Sequence, residues 1–243
     1  MTAIKTQNLT KRYGEITALD GLELSVAQGE MMALLGVNGA GKTTAIKLLS
    51  CLAAPSEGEA WLCNHSILDE AQEVKRVIGV SPQETAVAKK LSVRENLQFM
   101  AEVHGARKQE AALLAQKMIE RMGLDKVAAQ RAGTLSGGWQ RRLSIAMALI
   151  GEPQILFLDE PTLGLDVIAR HELWEQIRAL KGKTTIILTT HYLEEAEALC
   201  DRIAILSDGK LITVGTANEL KALAGKEKFE DAFVALCAGG VRV

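Results

Sequence analysis

The sequence predicts an α/β fold in which an α-helical insert divides one parallel-sheet core. Three observations predict it. Short, continuous apolar runs such as Met31 to Leu35 and Ile155 to Leu158 read as strands buried on both faces, as strands of parallel sheets are. A glycine-rich segment, Gly36 to Gly41, joins the first of these runs to a helical pattern. Between residues 85 and 150 the texture becomes all-helical, and strand-like runs then return.

In chain order, β-like runs cover Ile4 to Leu9 and Leu22 to Val26, ahead of the buried run Met31 to Leu35. A helix is expected from Thr43 to Leu52, and strands over Ala60 to Cys63 and Val77 to Ser81. Ser92 with Glu95 three residues on forms a capping box; helix formers fill most positions from there to Met122, and Gly123 supplies a C-cap. A further helical run covers Gln140 to Ile150. Strand-like runs follow at Ile155 to Leu158, Thr185 to Thr189 and Arg202 to Leu206. The turn residues Ser207, Asp208, Gly209 and Lys210 predict that Leu211 to Val214 pairs back on Ile203 to Leu206 as a hairpin. Near the end, Phe229, Phe233 and Leu236 recur at helical spacing, which predicts a short amphipathic helix. The expected division is a core over residues 1–84 and 151–224, a helical subdomain over 85–150, and a tail over 225–243.

Composition narrows the function. The 243 residues are 48% hydrophobic, enough for a sizeable core without disulfides or metal staples. A net charge of -2 provides no basic footprint for a phosphate backbone, so nucleic acid is not expected as a partner. The longest uncharged apolar runs, near Ile145 to Gly151 and Ile186 to Leu188, fall far short of the about 18 residues of a membrane span. Met1 to Gly14 lacks the apolar stretch of a secretory signal, so residence in the cytosol is expected. Cys51, Cys63, Cys200 and Cys237 form no C-x-x-C pair and read as buried thiols.

The chemistry is carried by three motifs. Gly36-Val37-Asn38-Gly39-Ala40-Gly41-Lys42-Thr43 fits G-x-x-x-x-G-K-S/T between a buried strand and a helix start. There the glycines let backbone N–H groups curl round a phosphate and the helix N-terminus adds partial positive charge. Lys42 can reach the outer phosphates, and Thr43 offers a hydroxyl to Mg²⁺. Downstream, the run Ile155 to Leu158 ends in Asp159-Glu160, two carboxylates on opposite sides of one strand. Asp159 is placed to bind Mg²⁺, and Glu160 to orient and deprotonate an attacking water. The third motif, Leu135-Ser136-Gly137-Gly138, precedes a helix and forms a second phosphate-binding N-terminus. Since the chain has only one phosphate loop, Ser136, Gly137 and Gly138 are expected to face the nucleotide of another copy or of a related partner, so that two subunits sandwich ATP head to tail.

Together these motifs, in this order and spacing, resemble the nucleotide-binding subunits of ATP-binding cassette transporters over nearly the whole chain. The resemblance implies a P-loop NTPase core with a parallel sheet, a small N-terminal antiparallel β part and an inserted α-helical subdomain. It extends the nucleotide-binding set from Gly36 through Thr43 to Thr44 and adds Tyr13, which would stack on adenine. It assigns Gln83 to Mg²⁺ and to sensing the membrane partner, Asp166 of Gly164-Leu165-Asp166 to the dimer interface, and His191 to the γ-phosphate. Trp139 departs from the pattern, since the family's signature continues with glutamine and here glutamine comes one place later as Gln140.

An ATPase with Mg²⁺, working peripherally on the cytoplasmic side of the cell membrane, is therefore expected. Its partners would be a second nucleotide-binding subunit, as a homodimer, and an integral membrane permease, and the Gly-Leu-Asp loop and tail resemble bacterial sodium-efflux and drug exporters. The alternative, a soluble cassette ATPase acting on ribosome or DNA, lacks support from any basic surface or coiled coil in this sequence.

Overall fold

The computed structural model describes residues 1–238. In chain order the elements are β1 (Thr2–Tyr13), β2 (Ile16–Leu22), β3 (Ser25–Ala27), β4 (Met31–Leu35), α1 (Lys42–Leu49), β5 (Glu57–Leu62), β6 (His65–Ser66), α2 (Ala71–Val77) and β7 (Ile78–Ser81). Then come α3 (Val93–Val103), α4 (Lys108–Arg121), α5 (Gly137–Leu149), β8 (Ile155–Asp159), α6 (Val167–Arg178), β9 (Thr185–Thr190) and α7 (Leu193–Leu199). The chain closes with β10 (Arg202–Ser207), β11 (Lys210–Gly215), α8 (Ala217–Ala224) and α9 (Phe229–Cys237).

A six-stranded sheet in the order β11-β10-β4-β9-β8-β7 forms the centre. All neighbours from β10 to β7 run parallel, and β11 returns antiparallel on β10 through the expected turn at Asp208-Gly209. Every residue of β4, β8 and β9 is buried, which is why these runs carry no polar alternation. In the sheet β9 lies between β4 and β8, so the strand that feeds the phosphate loop is not a neighbour of the strand that carries the carboxylates. A second sheet, β2-β1-β5-β6 with β3 also on β1, is antiparallel throughout and stands at the N-terminal side of the chain.

Helices α3, α4 and α5 bury Val93, Leu97, Ala111, Ala115, Ile119 and Leu143 in a cluster that continues into Leu156, Leu158 and Leu188 of the sheet. The helices run continuously into the core through that cluster. No helix of the described residues is long and apolar enough to cross a membrane.

Four departures from the sequence expectation have a local reason. The run from Leu22 to Val26 is not one strand, because the Thr6 hydroxyl donates to the Leu22 carbonyl and accepts from the Leu24 N–H, which interrupts the ladder between β2 and β3. Helix α1 stops at Leu49 rather than Leu52, with Cys51 at φ 54° and the Ser50 hydroxyl donating back to the Ile46 carbonyl. The helical stretch from Ser92 to Met122 is two helices, broken at Gly105, which takes a left-handed φ of 94°. The capping box of Ser92 and Glu95 forms as expected. Helix α5 begins at Gly137, earlier than Gln140, so the glycines are its first turn.

Helix α9 packs Phe229 and Leu236 on Ile203, Ile205 and Leu220 of the same chain. Residues 239–243 of the 225–243 tail lie outside the described residues. The four cysteines are free and only partly buried, and Cys51 and Cys63 sit in left-handed turns at the ends of α1 and β5.

Candidate functional site

The phosphate loop leaves β4 at Gly36. A Cβ there would lie 2.5 Å from the Leu206 carbonyl oxygen, so only glycine lets the loop turn this close to β10. Gly41, at φ 99°, opens α1, and a Cβ on it would meet the Ala18 carbonyl oxygen at 2.7 Å. Lys42, at the first position of α1, is buried and donates to the carbonyls of Gly36 at 2.7 Å and Val37 at 3.2 Å. Its ammonium stands 3.8 Å from Glu160 Oε1. Burial lowers the Lys42 pKa, and the charges of Glu160 and Asp159 oppose that fall. A cation held at a desolvated loop, with its own carbonyls as stand-ins, is suited to exchange them for phosphate oxygens.

Asp159 and Glu160 leave the end of β8 in different directions and are both buried. Thr189, on the intervening strand β9, links them: its hydroxyl donates to Asp159 Oδ1 and accepts from the Glu160 N–H. Asp159 Oδ1 also accepts from the Thr43 hydroxyl at 3.4 Å. Glu160 adopts φ 50°, an uncommon conformation for a residue with a side chain, and one that costs on the order of 1 kcal/mol. The strain aims its carboxylate at His191, whose Nδ1 lies 2.8 Å from Glu160 Oε2. The carboxylate is thereby fixed at the edge of the cavity that also holds Lys42 and His191, where it can orient a water and take its proton.

A cavity of about 690 Å³ collects Tyr13, the loop from Asn38 through Gly39, Ala40, Gly41, Lys42 and Thr43 to Thr44, together with Gln83, Glu160 and His191. Tyr13, at the end of β1, is half-exposed, with the Lys11 ammonium 5.1 Å from its ring. Gly36 and Val37 lie just outside the lining, the former against β10 and the latter facing solvent. Asp159 stands behind Thr43. His65, which pairs with Glu70, His104 beside Gly151, and His171, which meets the Trp174 ring edge-on, lie away from this cavity.

Ser136, Gly138, Trp139 and Asp166 are not in that cavity. They line a separate cleft of about 330 Å³, where Asp166 caps α6 by accepting from the Ala169 N–H at 2.9 Å. Ser136 is exposed and its hydroxyl caps nothing, while Gly137 is open, with no atom within 4 Å of a would-be Cβ. Trp139 is half-buried beneath the Arg142 guanidinium, 4.7 Å from its ring centroid.

Two residues of the site were not singled out from the sequence. Thr189 belongs to the quoted run Thr189-Thr190-His191, but its bridging role depends on β9 lying between β4 and β8. Arg141 is buried on α5 and donates to the carbonyls of Pro82 and Gln83, tying the helix that follows Ser136 to the Gln83 loop. Burial lowers its pKa, opposed by the Asp159 and Glu160 charges. Arg141 stands between Gln140 and Arg142 in the sequence, so nothing in the local pattern distinguished it.

No group of three or more His, Cys, Asp and Glu side chains that could hold a metal occurs among the described residues. The oxygens that do converge, the Thr43 hydroxyl and the Asp159 carboxylate, with Gln83 lining the same cavity, suit Mg²⁺, which retains waters and takes few protein ligands beside phosphate.

Residues 19–163 match the family model described as ABC transporter. The chain is 43% identical over 230 residues to a daunorubicin resistance ATP-binding protein of Streptomyces coeruleorubidus, covering 94% of this chain and 73% of that protein. It is also 43% identical over 219 residues to Nod factor export ATP-binding protein I of Burkholderia orbicola (strain AU 1054), covering 89% and 72%. A solved ATP-binding subunit of an ABC transporter superposes with a TM-score of 0.86 at 28% identity, covering 97% of this chain and 99% of that one. A dimeric ATP-binding cassette in a post-hydrolysis state, bound to ADP and Pi, superposes with a TM-score of 0.79 at 29% identity, covering 88% and 98%. By sequence and by fold, the chain belongs to the ABC transporter family and is one of its ATP-hydrolysing cassettes.

Proposed function

We propose that this cassette drives export through a separate integral membrane permease, as one half of a head-to-tail homodimer held peripherally on the cytoplasmic side of the membrane. The direction rests on likeness to relatives named for drug resistance and Nod factor export. The observation that carries the dimer is the separation of the two clefts: Lys42 and Glu160 line one, and Ser136, Gly138 and Asp166 line the other. A single chain then holds half of each of two nucleotide sites, and the exposed N-terminus of α5 is available to a partner's phosphates.

In this reading Tyr13 stacks on adenine, the loop from Gly36 to Thr44 wraps the phosphates, and Lys42 neutralises the outer ones. Thr43, Gln83 and Asp159 would hold Mg²⁺, which would supply neutralisation of phosphate charge. Glu160 takes the proton of the attacking water, and His191 orients Glu160 and meets the γ-phosphate. Ser136, Gly137 and Gly138 of the partner complete the cradle, and Asp166 crosses the interface. Residues 85–150 form the subdomain that carries the signature helix, and residues 1–84 and 151–224 the ATP-binding core. Arg141, bonded to the backbone at Gln83, provides a direct link from the signature helix to the loop expected to sense the permease.

Replacing the base while leaving its shape tests both halves of the proposal. Glu160→Gln is expected to slow turnover about a hundredfold while ATP binding persists, and to elute as a dimer from a sizing column run with ATP. Normal turnover in this variant, or a monomer at high protein and ATP concentration, would refute the corresponding part.

A further inference from the structure

All the buried side-chain N and O atoms that lack a hydrogen-bond partner among the described residues, Thr162 Oγ1, Arg170 Nε and Glu195 Oε2, lie on the segment after Glu160, on α6 or on α7. Unpaired buried polar atoms are uncommon and costly, so such a cluster calls for a cause. Glu195 is completely buried on α7, four residues after His191. Its Oε1 accepts from the indole N–H of Trp174 on α6 at 3.0 Å. The Thr190 and Thr162 hydroxyls adjoin the same carboxyl, yet neither Thr162 Oγ1 nor Glu195 Oε2 completes a hydrogen bond. Burial raises the Glu195 pKa, the neighbouring hydroxyls and indole oppose the rise, and the Glu160 charge adds to it. With no exposed surface, Glu195 cannot touch ATP or water in the cavity.

We propose that Glu195 is a positioning residue for ATP hydrolysis, whose buried carboxyl, bonded to Trp174 of α6, packs beside Thr162 of the segment from Glu160 to Asp166 and beside Thr190 of the strand end that presents His191. The inference deepens the proposed catalytic roles and depends on them.

The test compares Glu195→Gln, Glu195→Leu and Thr162→Val in the full chain, with Glu160→Gln in parallel, reading turnover, ATP affinity from a fluorescent nucleotide, and melting temperature. Glutamine keeps the acceptor for Trp174 and the polar contacts, and is expected to hold turnover within about threefold of the parent. Leucine and Thr162→Val are expected to lower kcat about tenfold or more while ATP affinity stays near the parent's. A folded Glu195→Leu or Thr162→Val chain with parental kcat overturns the proposal, as does a loss of ATP affinity in proportion to kcat. If Glu195→Leu does not fold, Thr162→Val decides by the same two outcomes. If Glu160→Gln itself retains turnover, the catalytic assignment fails; if it is inactive while Thr162→Val is not, only the role of Glu195 fails.

Discussion

At the scale of single residues, the site depends on two positions where backbone geometry rather than side-chain chemistry is decisive. Gly41 is left-handed and sits under the Ala18 carbonyl, so any Cβ must displace either the loop or β2. Gly41→Ala is expected to weaken ATP binding at least about tenfold with the circular dichroism spectrum unchanged, as nucleotide titration would show; parental affinity would mean that the loop shape tolerates a side chain. Thr189 gives the complementary case. It is fully buried, and valine matches its shape but removes both the donor to Asp159 and the acceptor for the Glu160 N–H. The Glu160 backbone would lose one of the partners that hold its left-handed conformation, so Thr189→Val is expected to cut kcat by about tenfold with ATP affinity retained. A fall in affinity without a fall in kcat would place Thr189 in binding instead.

At the scale of elements, the runs that the structure buries on both faces were legible because such strands cannot alternate: β4, β8 and β9 all match apolar runs in the sequence. The capping box at Ser92 and the turn at Asp208-Gly209 were legible because their chemistry is local. What local pattern could not reveal was the break at Gly105, where one permissive residue interrupts a stretch of good helix formers, and the split between β2 and β3, which depends on the Thr6 hydroxyl from another strand. Glu160, His191 and Lys42 were legible as candidates from their motifs, but Thr189 and Arg141 act through sheet order and helix packing that no spacing in the chain records. Arg141 also shows how one element holds another. Its guanidinium is the donor for two loop carbonyls, so Arg141→Met would leave both without it in a buried setting and is expected to lower stability by about 2 kcal/mol, visible as an earlier midpoint in urea. ATP binding by the folded fraction should persist, because Arg141 lines neither cleft.

At the scale of the whole molecule, the parallel order of β7, β8, β9, β4 and β10 brings the C-terminal ends of β4, β8 and β9 to one edge, where the phosphate loop, the carboxylates and His191 meet. Helix α5 points its exposed N-terminus into a different cleft, together with Asp166. That separation makes a prediction about mixtures that does not depend on the details of any interface. A Lys42→Met chain lacks the phosphate-loop cation, and a Ser136→Arg chain blocks the signature turn, so either variant alone should be inactive. In a head-to-tail pair of one of each, the intact loop of the second chain faces the intact signature of the first, and one site of the pair is whole while the other is doubly broken. Equal mixing should place about half of the chains in mixed pairs and return roughly a quarter of the parental rate if the sites act independently. If both motifs served a nucleotide within one chain, mixing would restore nothing, and the rate measured across a titration of one variant into the other would remain flat.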